Sequence, residues 1–138
     1  MKTSVIAAVL WMMLGVGCAH KAATDAVGFT ELNSTETVEM LKNNKDLLIL
    51  DVRSVKEQTT KHDFLKGATM IPEAELAGRL SEIAAYKDKT VVVACPCGKR
   101  SRRGAELLVK NGFEHVYNIS EPGIPGLVKV PGAPVEYR

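Results

Sequence analysis

Val91-Val92-Val93-Ala94-Cys95-Pro96-Cys97-Gly98-Lys99-Arg100-Ser101 is the stretch that decides how the rest of this chain is read. Its first four residues are apolar, mostly β-branched and without polar alternation, which predicts a strand buried on both faces, as in a parallel sheet. The strand stops at Cys95. A compact Pro96-Cys97-Gly98 turn follows, and from about Arg100 the spacing of Ala105, Leu108 and Val109 predicts a helix closed by Gly112. A thiol therefore stands where a strand ends and a helix begins. Unpaired N–H groups and the positive end of the helix dipole converge there, and Lys99, Arg100, Arg102 and Arg103 add cationic charge. Such surroundings lower a cysteine pKa from about 8.5 to roughly 3.5–7.5, which makes a nucleophile at neutral pH. The bland alternative is an inert cysteine that finishes a buried strand.

Working outward, Leu47-Leu48-Ile49-Leu50 is a second unbroken aliphatic run, and it ends abruptly in Asp51-Val52-Arg53. That is the pattern of a central parallel strand emerging at its carboxyl end. Phe29 to Leu32 alternates as an edge strand, and Ser34 is the expected N-cap of a helix running to Asn43 with Val38 and Leu41 inward. A short helix is expected from Val55 to Lys61. Leu76, Leu80 and Ile83 predict one amphipathic helix from Glu73 to Tyr86, with Arg79 and Glu82 on its wet face. His115 to Ile119 reads as the last strand, with His115 exposed at its start, and the remainder as a Pro- and Gly-rich tail. The alternation of strand and helix predicts an α/β fold with helices on both faces of the sheet. Asp51 and Cys95 both fall at carboxyl strand ends, where open α/β sheets place their sites.

The 138 residues suffice for one domain, and 46% hydrophobic with 25% charged residues is ordinary globular composition. A net charge of +2 and one local basic cluster without aromatic partners give no ground for nucleic-acid binding.

Cys95-Pro96-Cys97-Gly98-Lys99-Arg100-Ser101 resembles the active-site loop of the rhodanese family of sulfurtransferases. Asp51-Val52-Arg53 with Glu57 resembles that family's second signature. Gly67-Ala68 with Ile71-Pro72, and Gly132-Ala133-Pro134-Val135, match further family segments. The resemblance runs from about Phe29 to Val135. It implies a rhodanese-like fold with a central parallel sheet of about five strands, and a persulfide carried on Cys95. Pro96, Cys97, Gly98, Lys99, Arg100 and Ser101 would bind the substrate: the loop amides and Arg100 would hold the persulfide. Asp51, Arg53 and Glu57 would brace the loops without doing chemistry. Relatives that hydrolyse phosphate esters are implied to have a loop one residue longer, whereas here four residues separate Cys95 from Arg100, which points to sulfur transfer. The implied partners are a small sulfur-containing donor such as thiosulfate and a thiol or protein acceptor; no cofactor is needed. Three departures stand out. Gln58 replaces an aromatic, Phe64 stands where a His is expected with His62 two residues early and read as a surface residue, and no Trp lies near Val128.

Residues 1–17 read as an export signal. Lys2 precedes an apolar core from Val5 to Val16, too short to cross a bilayer as a helix. Leu14-Gly15-Val16-Gly17-Cys18 resembles a lipoprotein box displaced by one residue, so Cys18 is the expected lipidation site, with ordinary cleavage after Ala19 as the alternative. Residues 18–28 would form a tether and 29–138 the domain, exported to the periplasm or cell envelope and touching the membrane only through the lipid. Cys97 admits three readings: a small loop residue, a resolving thiol that attacks an adduct on Cys95, or half of a soft-metal pair. A stable Cys95–Cys97 disulfide is too cramped across Pro96. Two rivals to the enzyme remain: a non-enzymatic rhodanese-fold module binding sulfide, a soft metal or a partner protein, and a thiol/disulfide redox protein using both cysteines. The enzyme reading requires a sulfur that faces the loop amides and can be reached.

Overall fold

A computed structural model describes residues 28–60 and 63–137. The expected signal, tether and lipidated Cys18, and His62, lie outside the described residues.

Among the described residues, seven strands and a set of short helices alternate: β1 (Thr30–Leu32), α1 (Ser34–Asn43), β2 (Leu47–Asp51), α2 (Val55–Thr60), β3 (Asp63–Leu65), β4 (Thr69–Met70), α3 (Glu73–Leu76), a 3-10 helix (Leu80–Tyr86), β5 (Thr90–Ala94), α4 (Lys99–Lys110), β6 (His115–Ile119), α5 (Ile124–Leu127) and β7 (Val135–Tyr137). Five strands form one sheet in the order β1-β6-β5-β2-β4, and every neighbouring pair is parallel. Each strand pair joined by a crossover must pass a helix over a face, so both faces are covered. The two-residue period of the strands sorts their side chains accordingly. Leu48, Leu50, Val91, Val93 and Val116 pack with Leu76, Ile83, Ala105 and Leu108 on one side, while Ile49, Val92, Ala94 and Ile119 pack with Val38, Ile124 and Leu127 on the other. Each fully buried aliphatic of this kind stabilises the fold by about 1.5–3 kcal/mol.

The helix ends follow local chemistry. Asn33, rather than the expected Ser34, caps α1: its side chain accepts from the N–H groups of Thr35 and Glu36, and Glu36 accepts from the N–H of Asn33, closing a capping box worth about 1 kcal/mol. At the other end of the site helix, Gly112 adopts φ +83° and the N–H of Phe113 reaches the carbonyl of Leu108, which ends α4 as expected.

Two expectations fail. The single helix from Glu73 to Tyr86 is broken at Ala77-Gly78-Arg79, and its second part winds as a 3-10 helix. Gly78 disfavours helix by roughly 1 kcal/mol, and Leu80, Ile83 and Tyr86, spaced by three, put one residue per 3-10 turn against the core. Arg79 still lies on the wet side, bridging Glu75 and Glu82 at 2.9 and 2.7 Å. The second failure is the tail. Val135–Tyr137 is a strand, antiparallel to β3 with Leu65 opposite Val135, so His115–Ile119 is the last strand of the main sheet but not of the chain. Three residues flanked by Pro134 are too short for periodicity to reveal.

Candidate active site

β2 and β5 lie side by side with Asp51 opposite Ala94, so the Asp51-Val52-Arg53 turn and the Cys95 loop leave the sheet together at its carboxyl edge. The main chain fastens them: Val52 N–H donates to the carbonyl of Ala94 at 3.0 Å, and Ile124 N–H donates to that of Cys95 at 3.1 Å. Gly98 turns the loop into α4 with φ +75°, a left-handed conformation that favours glycine, and a Cβ there would lie 2.9 Å from the amide nitrogen of Glu121.

The helix entered this way begins under the sulfur. Ser101 N–H donates to Cys95 Sγ at 3.3 Å, and the Ser101 hydroxyl lies 3.2 Å from it. The N–H groups of Cys97 and Arg100 are also directed at the sulfur. Burial pushes the thiol pKa up; the Ser101 hydroxyl, the Ser101 N–H and then the other two amides pull it down, and the donors prevail, leaving the thiol below its ordinary value. The hydroxyl can serve either protonation state, because its other neighbour is the carbonyl of Gly98 at 3.1 Å. With a thiol, the S–H donates to Oγ and the hydroxyl donates to Gly98. With a thiolate, the hydroxyl turns to the sulfur.

The sulfur thus faces the loop amides, but it is not open to solvent as the reading requires: Cys95 is 0% exposed and belongs to the core cluster with Val52, Ile71 and Leu76. The donors that favour the thiolate draw it inward. Pro96 and Cys97 are half-buried, Lys99 is exposed, and Ser101 is buried. Both Cys95 and Cys97 are free thiols. No group of three His, Cys, Asp or Glu side chains converges to hold a metal ion among the described residues.

Arg100 is arranged differently from its expected role. Its guanidinium faces Glu57, with Nη1 2.5 Å and Nη2 2.7 Å from the two carboxylate oxygens, and only its backbone N–H serves the sulfur. Glu57 also accepts from the N–H and hydroxyl of Ser54 at 3.1 and 2.7 Å. The Arg100 guanidinium holds that carboxyl well below the usual carboxylate range, against the opposing effect of burial. Glu57 consequently ties α2 to the start of α4. Asp51 and Arg53 form a separate pair, 0% and 1% exposed. Arg53 Nη2 is 2.7 Å from Asp51 Oδ2, and Arg53 Nε and backbone N–H also donate to the same carboxylate. The guanidinium lies 5.3 Å from the centre of the Phe64 ring, and Gln58 Nε2 donates to the Arg53 carbonyl at 2.8 Å. Phe64 and Gln58, both departures from the family pattern, therefore steady Arg53.

Three contributors were not singled out from the sequence. Gly123, at φ +66°, lies so close that a Cβ would collide with the Cys95 and Pro96 carbonyl groups. Ile124 clamps Cys95, and Asn118 of β6 donates to Glu31 at 2.7 Å beside the loop. The Pro122-Gly123 pair was the available signal for the first; nothing in the sequence marks Asn118.

With the geometry in place, the comparisons agree on the class. The sequence model of the rhodanese-like domain matches residues 34–122, and the chain belongs to that family. It is 32% identical over 101 residues to the thiosulfate sulfurtransferase GlpE of Glaesserella parasuis, covering 73% of this chain and 88% of that one. It is 26% identical over 106 residues to the putative sulfur carrier protein YrkF of Bacillus subtilis, covering 77% of this chain and only 53% of that one, so it spans about half of YrkF. The solution structure of the rhodanese-like domain of Alr3790 from Anabaena sp. superposes with a TM-score of 0.65 at 24% identity, covering 78% and 79% of the two chains, a likeness of fold.

Proposed function

We propose that the chain is a sulfurtransferase that carries sulfane sulfur as a Cys95 persulfide. The observation that carries this reading is the convergence of the Ser101 hydroxyl and three backbone N–H groups on Cys95 Sγ, a donor set that favours thiolate at a buried position. The kinship with GlpE supports the same chemistry. The thiolate attacks the outer sulfur of a donor such as thiosulfate; the S–S bond of the donor breaks, its electron pair leaves with sulfite, and the new S–S bond makes Cys95–S–S⁻. An acceptor nucleophile, a small thiol or a protein thiol, then attacks the outer sulfur, and the electron pair of the cleaved bond returns to Cys95 as thiolate. Oxidation states balance without a cofactor. Because Cys95 is covered, the loop must shift to admit the donor. The start of α4 then offers its N–H groups to the added sulfur, while Glu57 holds Arg100.

Mass spectrometry of the reduced protein after thiosulfate tests this reading. One added sulfur on the Cys95 peptide is expected. A chain that stays unmodified while its thiol remains alkylatable would favour the rival reading as a binding module, which the covered sulfur supports. The N-terminal sequence supports a further part of the proposal, export and anchoring through a lipidated Cys18. An acylated N-terminal peptide from the native membrane fraction is the expected result, and a free N-terminus after Ala19 would replace it with plain secretion.

A further inference from the structure

Cys97 borders a cavity of about 230 Å³ that the chemistry at Cys95 leaves unused. Glu31, Lys99, Arg102, Asn118 and Glu121 complete most of its wall. Asn118 is 1% exposed; its Nδ2 donates to Glu31 at 2.7 Å and to the Gly98 carbonyl at 3.4 Å, yet its buried Oδ1 has no donor. An amide oxygen buried without a donor is costly, so this wall lacks a partner. Arg102 is committed to Glu31 at 3.0 Å. Lys99 and Glu121 are exposed and make no ion pair among the described residues. One cation, one carboxylate and one unused acceptor thus surround a thiol.

Cys97 joins this cavity to the interior around Cys95, which does not itself line the cavity. Cys97 directs its N–H toward Cys95 Sγ, packs against the cluster that contains Cys95, and shares with it the field of Arg100. An acceptor from solvent meets a covered Cys95, whereas Cys97 is half-exposed and already held beside it. A neighbouring thiol has a large effective concentration.

We propose that Cys97 relays the sulfane sulfur from Cys95 to an amino-acid-type thiol bound in this cavity, its carboxylate on Lys99 and its ammonium on Glu121. The proposal rests on the Cys95 persulfide described above. Cys97 thiolate attacks the outer sulfur of Cys95–S–SH, giving Cys97–S–SH and Cys95 thiolate. The bound thiolate then attacks the outer sulfur on Cys97, leaving as its persulfide and restoring Cys97 thiolate. Each step forms one S–S bond and breaks one, with no net oxidation.

The test compares L-cysteine, 3-mercaptopropionate, which lacks the amine, and cysteamine, which lacks the carboxylate, as acceptors for protein loaded with thiosulfate. L-cysteine should show a KM at least tenfold below either analogue. Lys99→Met should raise KM for L-cysteine and 3-mercaptopropionate but not for cysteamine. Cys97→Ser should lower sulfur release to L-cysteine at least tenfold relative to the rate of Cys95 loading. Equal KM values for the three acceptors, or an unchanged ratio in Cys97→Ser, would overturn the proposal while leaving the Cys95 persulfide standing. Failure of Cys95 to load at all would overturn the earlier reading as well.

Discussion

Two strand ends lie next to each other in this sheet and do opposite things with their polar groups. At the end of β2, Asp51 and Arg53 pair in the interior, with Asp63 3.4 Å from the same guanidinium, so the charges there are spent on one another. At the end of β5, the N–H groups at the start of α4 have no carboxylate to meet and converge instead on a sulfur. Internal pairing makes a brace; donors aimed at one ionisable atom favour its anion. Glu57 stands between the two ends, since from α2 it pairs with Arg100 of the helix that the loop enters, but does so near the surface.

Cys95→Ser is the sharpest way to separate the two ends. A hydroxyl is a far weaker nucleophile than a thiolate under the same donors, so thiosulfate loading should vanish while the protein stays folded, as read by mass spectrometry and circular dichroism. Residual loading at another residue would move the reactive end elsewhere. Asp51→Asn should do the reverse. Leaving the buried Arg53 with only the partly exposed Asp63, 3.4 Å away, costs about 3 kcal/mol, visible as a lower urea midpoint, while the fraction still folded should take up one sulfur per chain. Loss of loading with little loss of stability would erase the distinction between brace and reactive end.

Glu57→Gln tests the intermediate case. The pair is about a quarter exposed on each side, so screening limits its worth to about 1–2 kcal/mol at neutral pH. Because Glu57 is held below the ordinary carboxylate range in the folded protein, its contribution is present above the unfolded value of about 4.3 and is lost as pH falls through the folded one. The melting-temperature gap between wild type and Glu57→Gln should therefore be full at pH 7 and narrower at pH 3. A gap that did not change with pH would mean that shape, not charge, holds α2 to α4.

What the residues disclosed in advance follows the same division. Val91 to Ala94 and Leu47 to Leu50 are long apolar runs with one explanation, a strand covered on both faces, so the parallel sheet and the two strand ends were legible. Gly98 before a basic helix start disclosed the loop, and Asp51-Val52-Arg53 disclosed the brace. The direction of a long side chain is not written in its position: Arg100 could reach the sulfur or Glu57, and only the placement of α2 decides. Nor does a run of residues show how closely neighbours cover its end, so the sequence offered both a buried and an accessible Cys95 and did not choose between them. Gly123 was visible as a glycine but not as the residue against Cys95, because that contact depends on how the chain returns after β6. Pairing of Val135–Tyr137 with β3 is a contact of the same long-range kind.

The smallest change cuts inside the reactive end itself. Ser101→Ala removes the hydroxyl 3.2 Å from the sulfur and leaves the Ser101 N–H in place. One charge-assisted hydrogen bond to the thiolate is lost, so burial, which favours the neutral thiol, gains relative weight and the ionisation of Cys95 moves to higher pH. Loading by thiosulfate at pH 7 should slow on the order of tenfold. The deficit should close as pH rises, since both proteins become fully thiolate and only the fraction ionised was changed. Stopped-flow measurement of sulfite release against pH reads this directly. Parallel profiles with a constant gap would assign the hydroxyl to the transfer step, and coincident profiles would assign the favoured thiolate to the backbone N–H groups alone.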